Sequence, residues 1–325
     1  IKNALLAELI GAGPWEELLA AAEFRHWYVR GTDPILAETS RGYAPRKERF
    51  HSAKTLLWAA GRLAGRPEGT FPPGVSECLL PRWRLLTWLP PVSEVPTLLL
   101  ERRLVPPSLG LLPVPLAQFL SGSAQLGKSL AVVGPARTGK TLLLNELVRQ
   151  LPVSCRLAVW EWLPALDLSC RWCLPVAAQE PGAARLLEDL APQFPVDLLV
   201  VDDLGLPLFA RGLAALKRTA PVPCWAACRV RDLEGFGAGR LPASLAGEVA
   251  PSLVVWMGMA EQEGPAVAAV DEWPPGTSAP VRLFTAEGPG GGRAGPRLAA
   301  TGQFPSFLPE FRGLGLSLPR ELFST

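Results

Sequence analysis

The chain contains the stretch Gly134-Pro-Ala-Arg-Thr-Gly139-Lys140-Thr141, which fits the pattern G-x-x-x-x-G-K-[ST]. An apolar run typical of a buried strand precedes it, residues 130–133, and a run with helical periodicity follows it, residues 142–151. A loop of this kind turns its backbone N–H groups inward, and the helix N-terminus adds positive potential. The stretch therefore predicts a phosphate-binding loop, with an ordinary structural turn as the alternative.

The loop also predicts the roles of its residues. We expect eight residues to contact nucleotide: Gly134, Pro135, Ala136, Arg137, Thr138, Gly139, Lys140 and Thr141. The Lys140 side chain would reach the β- and γ-phosphates and contribute to catalysis, and the Thr141 hydroxyl would ligate Mg²⁺. ATP and Mg²⁺ are therefore the expected cofactors.

A second apolar run, residues 196–201, ends in two acidic residues, Asp202 and Asp203. In a parallel sheet the apolar part of such a strand is buried, and the acids emerge at the carboxyl edge, beside the phosphates. Asp202 would hold Mg²⁺ directly or through water, and Asp203 would orient and activate the attacking water. Paired acids also occur at ordinary turns, which remains the alternative.

Candidate strands and helices alternate from about residue 116 onward, a pattern that implies an α/β domain with a mostly parallel sheet. The first hundred residues resemble a small α+β domain, in which Ser52 is a candidate helix N-cap. A chain of 325 residues is long enough for two cores. We expect an N-terminal α+β domain over 1–105, a linker over 106–115, and an ATPase domain with a C-terminal extension over 116–325.

The bulk composition argues against two kinds of partner. The formal net charge is +2, which gives no electrostatic reason to expect nucleic acid as the main partner. No uninterrupted apolar stretch of about 18 residues occurs, so we expect no transmembrane helix. The first residues lack the basic and apolar regions of a secretory signal. These features favour a cytoplasmic protein.

The six cysteines include two pairs, Cys170 with Cys173 and Cys224 with Cys228. Together the pairs have the ligand types of a Cys₄ zinc site. The competing interpretations are small buried apolar residues or a disulfide. The separation of roughly 50 residues between the pairs is long for a zinc ribbon. The sequence therefore favours the competing interpretations.

Three stretches carry information beyond the generic phosphate loop. The first is residues 130–147, in which T-L-L-L-N-E-L follows the lysine of the loop. The second is residues 156–161, which end in Glu161. The third is the tail, with T-G-Q-F-P-S-F in residues 301–307 and L-P-R-E-L-F in residues 318–323. In these stretches the chain resembles the secretion-motor ATPases of type II and type IV secretion, most closely the CpaF-type motors of Tad/Flp pili.

This resemblance implies a RecA-like P-loop NTPase domain with a smaller, PAS-like N-terminal domain. It also implies a homohexamer that binds nucleotide between its domains and drives inner-membrane platform proteins of a pilus or secretion system. Such a protein is cytoplasmic and peripherally associated with the inner membrane. Glu161 would be a catalytic carboxylate at the place of the family's acidic box. Arg102 would contact nucleotide across the domain cleft, or would form a solvated pair with Arg103.

The sequence departs from the family pattern at positions that bear on hydrolysis. The family's acidic box reads E-D-x-x-E, whereas Trp162 and Ala165 here replace its second and last acids. Asp203 stands where the family has a Glu, and residues 226–230, near the family's His box, contain no His. A misplacement of about 1 Å can cost on the order of 100-fold in rate. We therefore expect ATP binding with slow hydrolysis.

Three functions are compatible with these residues. The first is a Mg²⁺-dependent motor ATPase of a pilus or secretion machine. The second is a nucleotide-gated structural subunit of the same machinery that hydrolyses little or no ATP. The third is a DNA-translocating RecA-like ATPase, which the near-neutral charge and the lack of a basic stripe with interleaved aromatic residues disfavour. The intact loop and acid pair favour the first, and the altered boxes favour the second.

Overall fold

The computed structural model divides the chain into two compact units, unit 1 over Ile1–Pro106 and unit 2 over Pro107–Thr325. The structure describes the following residues: 11–20, 24, 26–39, 42–66, 69–80, 83–102, 112–162, 166, 172–177, 196–205, 209, 211–214, 216, 222–231, 249–260, 264–277, 279–286, 298–313, 318 and 320–323. Within this described part, no helix is both long enough and apolar enough to cross a lipid bilayer.

The described residues of unit 1 form a six-stranded sheet and two helices. The helices are α1 (Trp15–Ala20) and α2 (Ala53–Leu63). The strands are β1 (His26–Arg30), β2 (Leu36–Thr39), β3 (Gly42–Pro45), β4 (Val75–Leu79), β5 (Trp83–Trp88) and β6 (Thr97–Arg102). Their order is β3-β2-β1-β6-β5-β4, and every neighbouring pair is antiparallel.

One face of this sheet forms the core of unit 1. Alternate residues such as Trp27, Val29, Leu98 and Leu100 are fully buried and share a cluster with side chains of both helices. Such alternation is expected of an antiparallel sheet with one packed face. Helix α2 begins at the predicted N-cap Ser52, whose hydroxyl accepts a hydrogen bond from the N–H of its third helical residue in a capping box.

Unit 2 contains a nine-stranded sheet. Three of its helices are described from end to end, α3 (Val114–Gln125), α4 (Lys140–Val148) and α5 (Leu308–Gly313); residues 209, 211–214 and 216 are also helical, and a 3-10 turn covers Arg320–Phe323. Its strands are β7 (Leu130–Gly134), β8 (Arg156–Glu161), β9 (Trp172–Ala177), β10 (Leu198–Asp202), β11 (Cys224–Arg229), β12 (Leu253–Ala260), β13 (Gly264–Glu272), β14 (Val281–Ala286) and β15 (Leu298–Ala300).

The strand order in unit 2 is β15-β14-β13-β12-β7-β11-β10-β8-β9. The strands from β12 to β9 are mutually parallel, which confirms the predicted α/β class and the mostly parallel sheet. Strands β13, β14 and β15 then extend the sheet in antiparallel fashion. Because β7, β11 and β10 are adjacent and parallel, their carboxyl ends lie together at one edge, at the centre of the sheet.

Separate clusters cover the two faces of the sheet in unit 2. Leu130 and Val132 of β7 belong to one cluster, and Ala131 and Val133 belong to the other. Burial on both faces explains why β7 reads as a continuous apolar run rather than as an alternating pattern.

The C-terminal tail packs onto unit 2 through aromatic contacts. The ring of Phe119 in α3 lies 5.9 Å from the ring of Phe307, 5.4 Å from that of Phe311 and 5.2 Å from that of Phe323. Offset and edge contacts at these distances are favourable beyond the area they bury. Phe307, Phe311 and Phe323 of the tail are therefore part of the core of unit 2.

Candidate functional site

The loop between β7 and α4 packs tightly against neighbouring strands. A Cβ atom added to Gly134 would lie 2.5 Å from the Met257 carbonyl oxygen and 2.7 Å from Thr138 Oγ1. Gly139, the N-cap of α4, has a φ of 80°, and an added Cβ would lie 2.8 Å from Pro265 Cβ. Both positions require glycine, the first for space and the second for conformation as well. The glycines of the sequence motif are thus explained by the local backbone.

Two loop side chains fold back onto the loop. Thr138 Oγ1 donates a hydrogen bond to the Pro135 carbonyl oxygen at 2.9 Å, and Lys140 Nζ donates to the same oxygen at 2.6 Å. The half-buried position of Lys140 lowers the pKa of its ammonium group. Ala136 and Arg137 form the exposed turn of the loop, with Arg137 at a φ of 66°. Lys140 is therefore a partly desolvated cation held over the loop.

Thr141 and Asp202 meet beside the loop. The Thr141 hydroxyl donates a hydrogen bond of 2.8 Å to Asp202 Oδ1 at the end of β10. Burial raises the pKa of the Asp202 carboxyl, while the hydrogen bond from Thr141 and the charge of Lys140 oppose the rise. An oxygen pair of this kind, with open positions for water and phosphate, suits Mg²⁺, which usually takes only one or two ligands from the protein.

Asp203 occupies a restricted backbone position directly after β10. Its φ is 79°, a left-handed conformation that few non-glycine residues adopt. The next residue, Leu204, donates its N–H to the Ala227 carbonyl oxygen at 2.8 Å. Asp203 Oδ1 accepts a hydrogen bond from the N–H of Gly205 at 3.3 Å. The chain therefore turns sharply across the end of β11, which fixes Asp203 at the edge of the sheet.

Arg229 is a site residue that the sequence analysis did not identify. It ends β11 in register with Gly134, and Val230 N donates to the Gly134 carbonyl oxygen at 3.2 Å. Arg229 Nη2 lies 3.6 Å from Asp203 Oδ2. Arg229 could have been found from the sequence, because it is a charged residue at the end of an apolar strand. Such a residue lies at the same edge of the sheet as the acid pair of β10.

Glu161 and Arg102 lie in different surroundings from the loop residues. Glu161 is buried at the end of β8, in register with Asp202, and its Oε1 accepts the N–H of Leu166 at 2.7 Å. Arg102 belongs to unit 1, where its guanidinium lies 5.3 Å from the ring centroid of Trp83. The catalytic role of Glu161 and the nucleotide contact of Arg102 stay predictions.

The cysteines of β11 are part of the core. Cys224 and Cys228 are buried in the cluster on one face of the sheet of unit 2. Burial and the nearby charge of Asp203 raise the pKa of the Cys228 thiol to about 11. Cys170, a member of the possible zinc set, lies outside the described residues. Among those that are described, no group of three His, Cys, Asp or Glu side chains is arranged to hold a metal ion.

No protein-family model matches the chain, and no curated protein matches it in sequence. Solved structures do match it in fold. The ATPase DotB of Legionella pneumophila matches with a TM-score of 0.53 and 14% identity over 82% of this chain and 79% of its own. The pilus retraction motor PilT with bound ADP matches with a TM-score of 0.54 and 12% identity over 79% of this chain and 81% of its own.

These similarities, at identities well below one residue in four, show the fold. The chain is a mixed α/β protein whose structural neighbours are two-domain ATPases with a RecA-like ATPase fold. The neighbours' own activities are those that their names state, an ATPase in one case and a pilus retraction motor in the other.

Proposed function

We propose that the protein is a Mg²⁺-dependent, ATP-binding and ATP-hydrolysing motor of a type IV or Tad-like pilus, or of a type II or type IV secretion machine. The observation that carries the proposal is the contact between Thr141, at the start of α4, and Asp202, at the end of β10. It brings the two predicted Mg²⁺ ligands together beside a loop whose glycines leave no room for side chains.

The residues of the chain fit a bound nucleotide. The N–H groups of the loop and the N-terminus of α4 would bind the phosphates, and Lys140 would exchange the Pro135 carbonyl for phosphate oxygens. Thr141 and Asp202 would hold Mg²⁺, which supplies charge stabilisation for the phosphates when bound. Asp203 would accept a proton from the attacking water. The raised pKa of Asp202 marks a carboxyl group that a cation would stabilise.

Slow hydrolysis is part of the proposal. The aspartate side chain is one C–C bond shorter than that of glutamate, so the Asp203 carboxylate stands about 1.5 Å further from the water. The left-handed backbone at Asp203 limits how far the main chain can compensate. Trp162 and Ala165, in place of acids, would further weaken the acidic box.

The wider assembly is proposed on the same basis. We infer a homohexamer at the cytoplasmic side of the inner membrane, peripherally bound to platform proteins. Its subunits would have an N-terminal domain over 1–105, a linker over 106–115 and a RecA-like domain over 116–325. The catalytic Glu161 and the nucleotide-contacting Arg102 belong to this proposal. The fold shared with DotB and PilT supports it.

A second candidate function is a nucleotide-gated structural subunit of the same machinery. The observation that favours it is the position of Asp203, whose two carboxylate oxygens face Gly205 N and the Arg229 guanidinium. A carboxylate engaged in this way is a poor general base until one contact is released. Binding without turnover would then be the expected behaviour.

The test measures ATP binding and phosphate release with Mg²⁺ for the full chain and for Lys140→Ala. We expect Lys140→Ala to weaken ATP binding by roughly 100-fold or more, because it removes charge-assisted hydrogen bonds. Lys128→Ala is the matched control, since the Lys128 ammonium lies 3.0 Å from Glu310 Oε1, outside the loop. Binding without release supports the structural subunit, and absence of ATP binding in the unmodified protein contradicts both functions.

A further inference from the structure

The candidate site contains an ion pair that the proposed roles do not use. Arg229 Nη2 lies 3.6 Å from Asp203 Oδ2, and 63% of the Arg229 side chain is exposed. Arg229 ends β11 opposite Gly134, the first residue of the phosphate loop. The pair therefore stands at the carboxyl edge of the sheet, next to the loop and in contact with solvent.

Arg229 and Lys140 are two cations at the phosphate loop, since Lys140 belongs to the loop and Arg229 is in register with its first residue, Gly134. Burial lowers the pKa of the Lys140 ammonium, and the charge of Arg229 lowers it further. Asp202 and Asp203 oppose this effect. An anion that binds beside two like positive charges stabilises both of them. A polyphosphate carries several negative charges and is such an anion. The arrangement therefore favours an anion that reaches both cations.

The Asp203 carboxylate is held by its neighbours in this state. Oδ1 accepts the N–H of Gly205 at 3.3 Å, and Oδ2 faces Arg229. The left-handed backbone at Asp203 restricts alternative positions of the side chain. As long as Arg229 stays in place, one oxygen of the carboxylate faces a cation.

We propose that Arg229 is the residue through which this site recognises the terminal phosphate of ATP, and that Arg229 leaves Asp203 when it does so. An exposed ion pair at 3.6 Å contributes little. A guanidinium binds phosphate oxygens through two parallel hydrogen bonds. Phosphate therefore displaces the carboxylate, and Asp203 becomes available to water only while a terminal phosphate is present.

The inference rests on the proposed function and extends it to nucleotide selectivity. Asp203 is the residue proposed to activate the attacking water, and that water attacks the terminal phosphate of ATP. A cation beside Asp203 would therefore bind the terminal phosphate. The loop N–H groups serve phosphates that ADP also carries, and Lys140 serves the β-phosphate of both nucleotides as well as the γ-phosphate of ATP. Arg229 should therefore contribute to ATP affinity and contribute little to ADP affinity.

The experiment measures the equilibrium affinities of the full chain for ATP and for ADP, both with Mg²⁺, by titration calorimetry under conditions of negligible turnover. We expect Arg229→Ala to weaken ATP binding by roughly 10- to 100-fold, the loss typical of a hydrogen-bonded charged group. ADP binding should change by less than about 3-fold. Arg229→Lys, which keeps the charge but loses the planar fork, should retain part of the preference for ATP.

Arg156→Ala is the matched control. Arg156 also forms an exposed ion pair in unit 2, with Nη2 at 2.6 Å from Asp197 Oδ1, but it stands at the amino end of β8. This variant should leave both affinities unchanged. If Arg229→Ala weakens the binding of ATP and ADP equally, or weakens the binding of neither, the inference about Arg229 is overturned. The proposed function still stands in that case, provided that the unmodified protein binds ATP. If the unmodified protein binds neither nucleotide, both are overturned.

Discussion

Charged side chains are concentrated in two regions of this molecule, and the two regions differ in how far they stabilise these charges. On the face of the unit 1 sheet that points away from its core, a row of neighbouring side chains crosses five strands: Glu38, His26, Glu101, Arg84 and Glu77. Each member contacts the next, and His26 Nε2 lies 3.0 Å from Glu101 Oε1. We refer to these five residues as the charged row.

The second region is the carboxyl edge of the sheet in unit 2. Here burial raises the pKa of Asp202 and lowers that of Lys140, so both groups are held in surroundings that disfavour their charged forms. Asp203 adds a left-handed backbone. In the charged row, by contrast, the Arg84 guanidinium lies between the carboxylates of Glu77 and Glu101, and cross-strand partners of opposite charge stabilise one another.

The carboxyl edge of unit 2 contains features that lower the stability of the folded protein, and the charged row does not. A desolvated charge or an unfavourable backbone persists only when the surrounding structure enforces it, and such features concentrate at sites of function. The charged row has the properties of a structural network. We therefore expect substitutions in the two regions to change stability in opposite directions, except where a substitution at the edge creates a clash.

The largest effect is expected where the edge has no space. Gly134→Ala places a methyl group 2.5 Å from the Met257 carbonyl oxygen, a backbone atom that cannot rotate away. The loop or β12 must shift, and we expect a loss of about 3 kcal/mol in the free energy of unfolding, measured by urea denaturation. Gly313→Ala is the control, since nothing lies within 4 Å of the added methyl group. Equal stabilities of the two variants would show that the loop is not tightly packed.

The loop was the part of the site most open to prediction from sequence. A strand, a glycine-rich turn and a helix follow one another within residues 130–148, so local rules decide their structure. The N-cap Ser52 was predictable for the same reason. Asp202 could be placed at the carboxyl edge of the sheet because it directly follows an apolar run, and the residues that follow a buried parallel strand emerge at that edge.

The remaining features depend on contacts between distant parts of the chain. Strands β2, β3 and β4 are short and carry polar residues or proline, so only their pairing with neighbours identifies them. The antiparallel extension by β13, β14 and β15 likewise depends on pairing. Arg229 becomes a site residue because β11 inserts between β7 and β10. No local pattern encodes that insertion or the backbone angle of Asp203.

A smaller effect of opposite sign is expected at Asp203. Asp203→Gly removes the cost of a left-handed residue with a side chain, so we expect the free energy of unfolding without nucleotide to rise by about 1 kcal/mol. The ion pair with Arg229 is exposed, and its loss offsets little of this gain. Asp33→Gly, at an exposed turn of unit 1, is the control and should lower stability, because glycine there adds freedom to the unfolded chain and removes only an exposed ion pair with Arg30. A loss of stability in Asp203→Gly would mean that Asp203 is held for structural reasons.

The smallest effect is expected in the charged row. Glu101 joins the two halves of the row, since its Oε1 faces His26 and its Oε2 accepts from Arg84 Nη1 at 3.4 Å. Glu101→Gln removes the charge that both neighbours face, and we expect a loss of about 1 kcal/mol because the site is only partly exposed.

Faster amide hydrogen exchange in β1 and β6 would report the loss at Glu101 locally. Glu94→Gln, at an exposed position of unit 1, should leave exchange in these strands unchanged. If Glu101→Gln instead raised stability, as we expect for Asp203→Gly, the row would also hold its charges at a cost, and unit 1 would then contain a second functional surface.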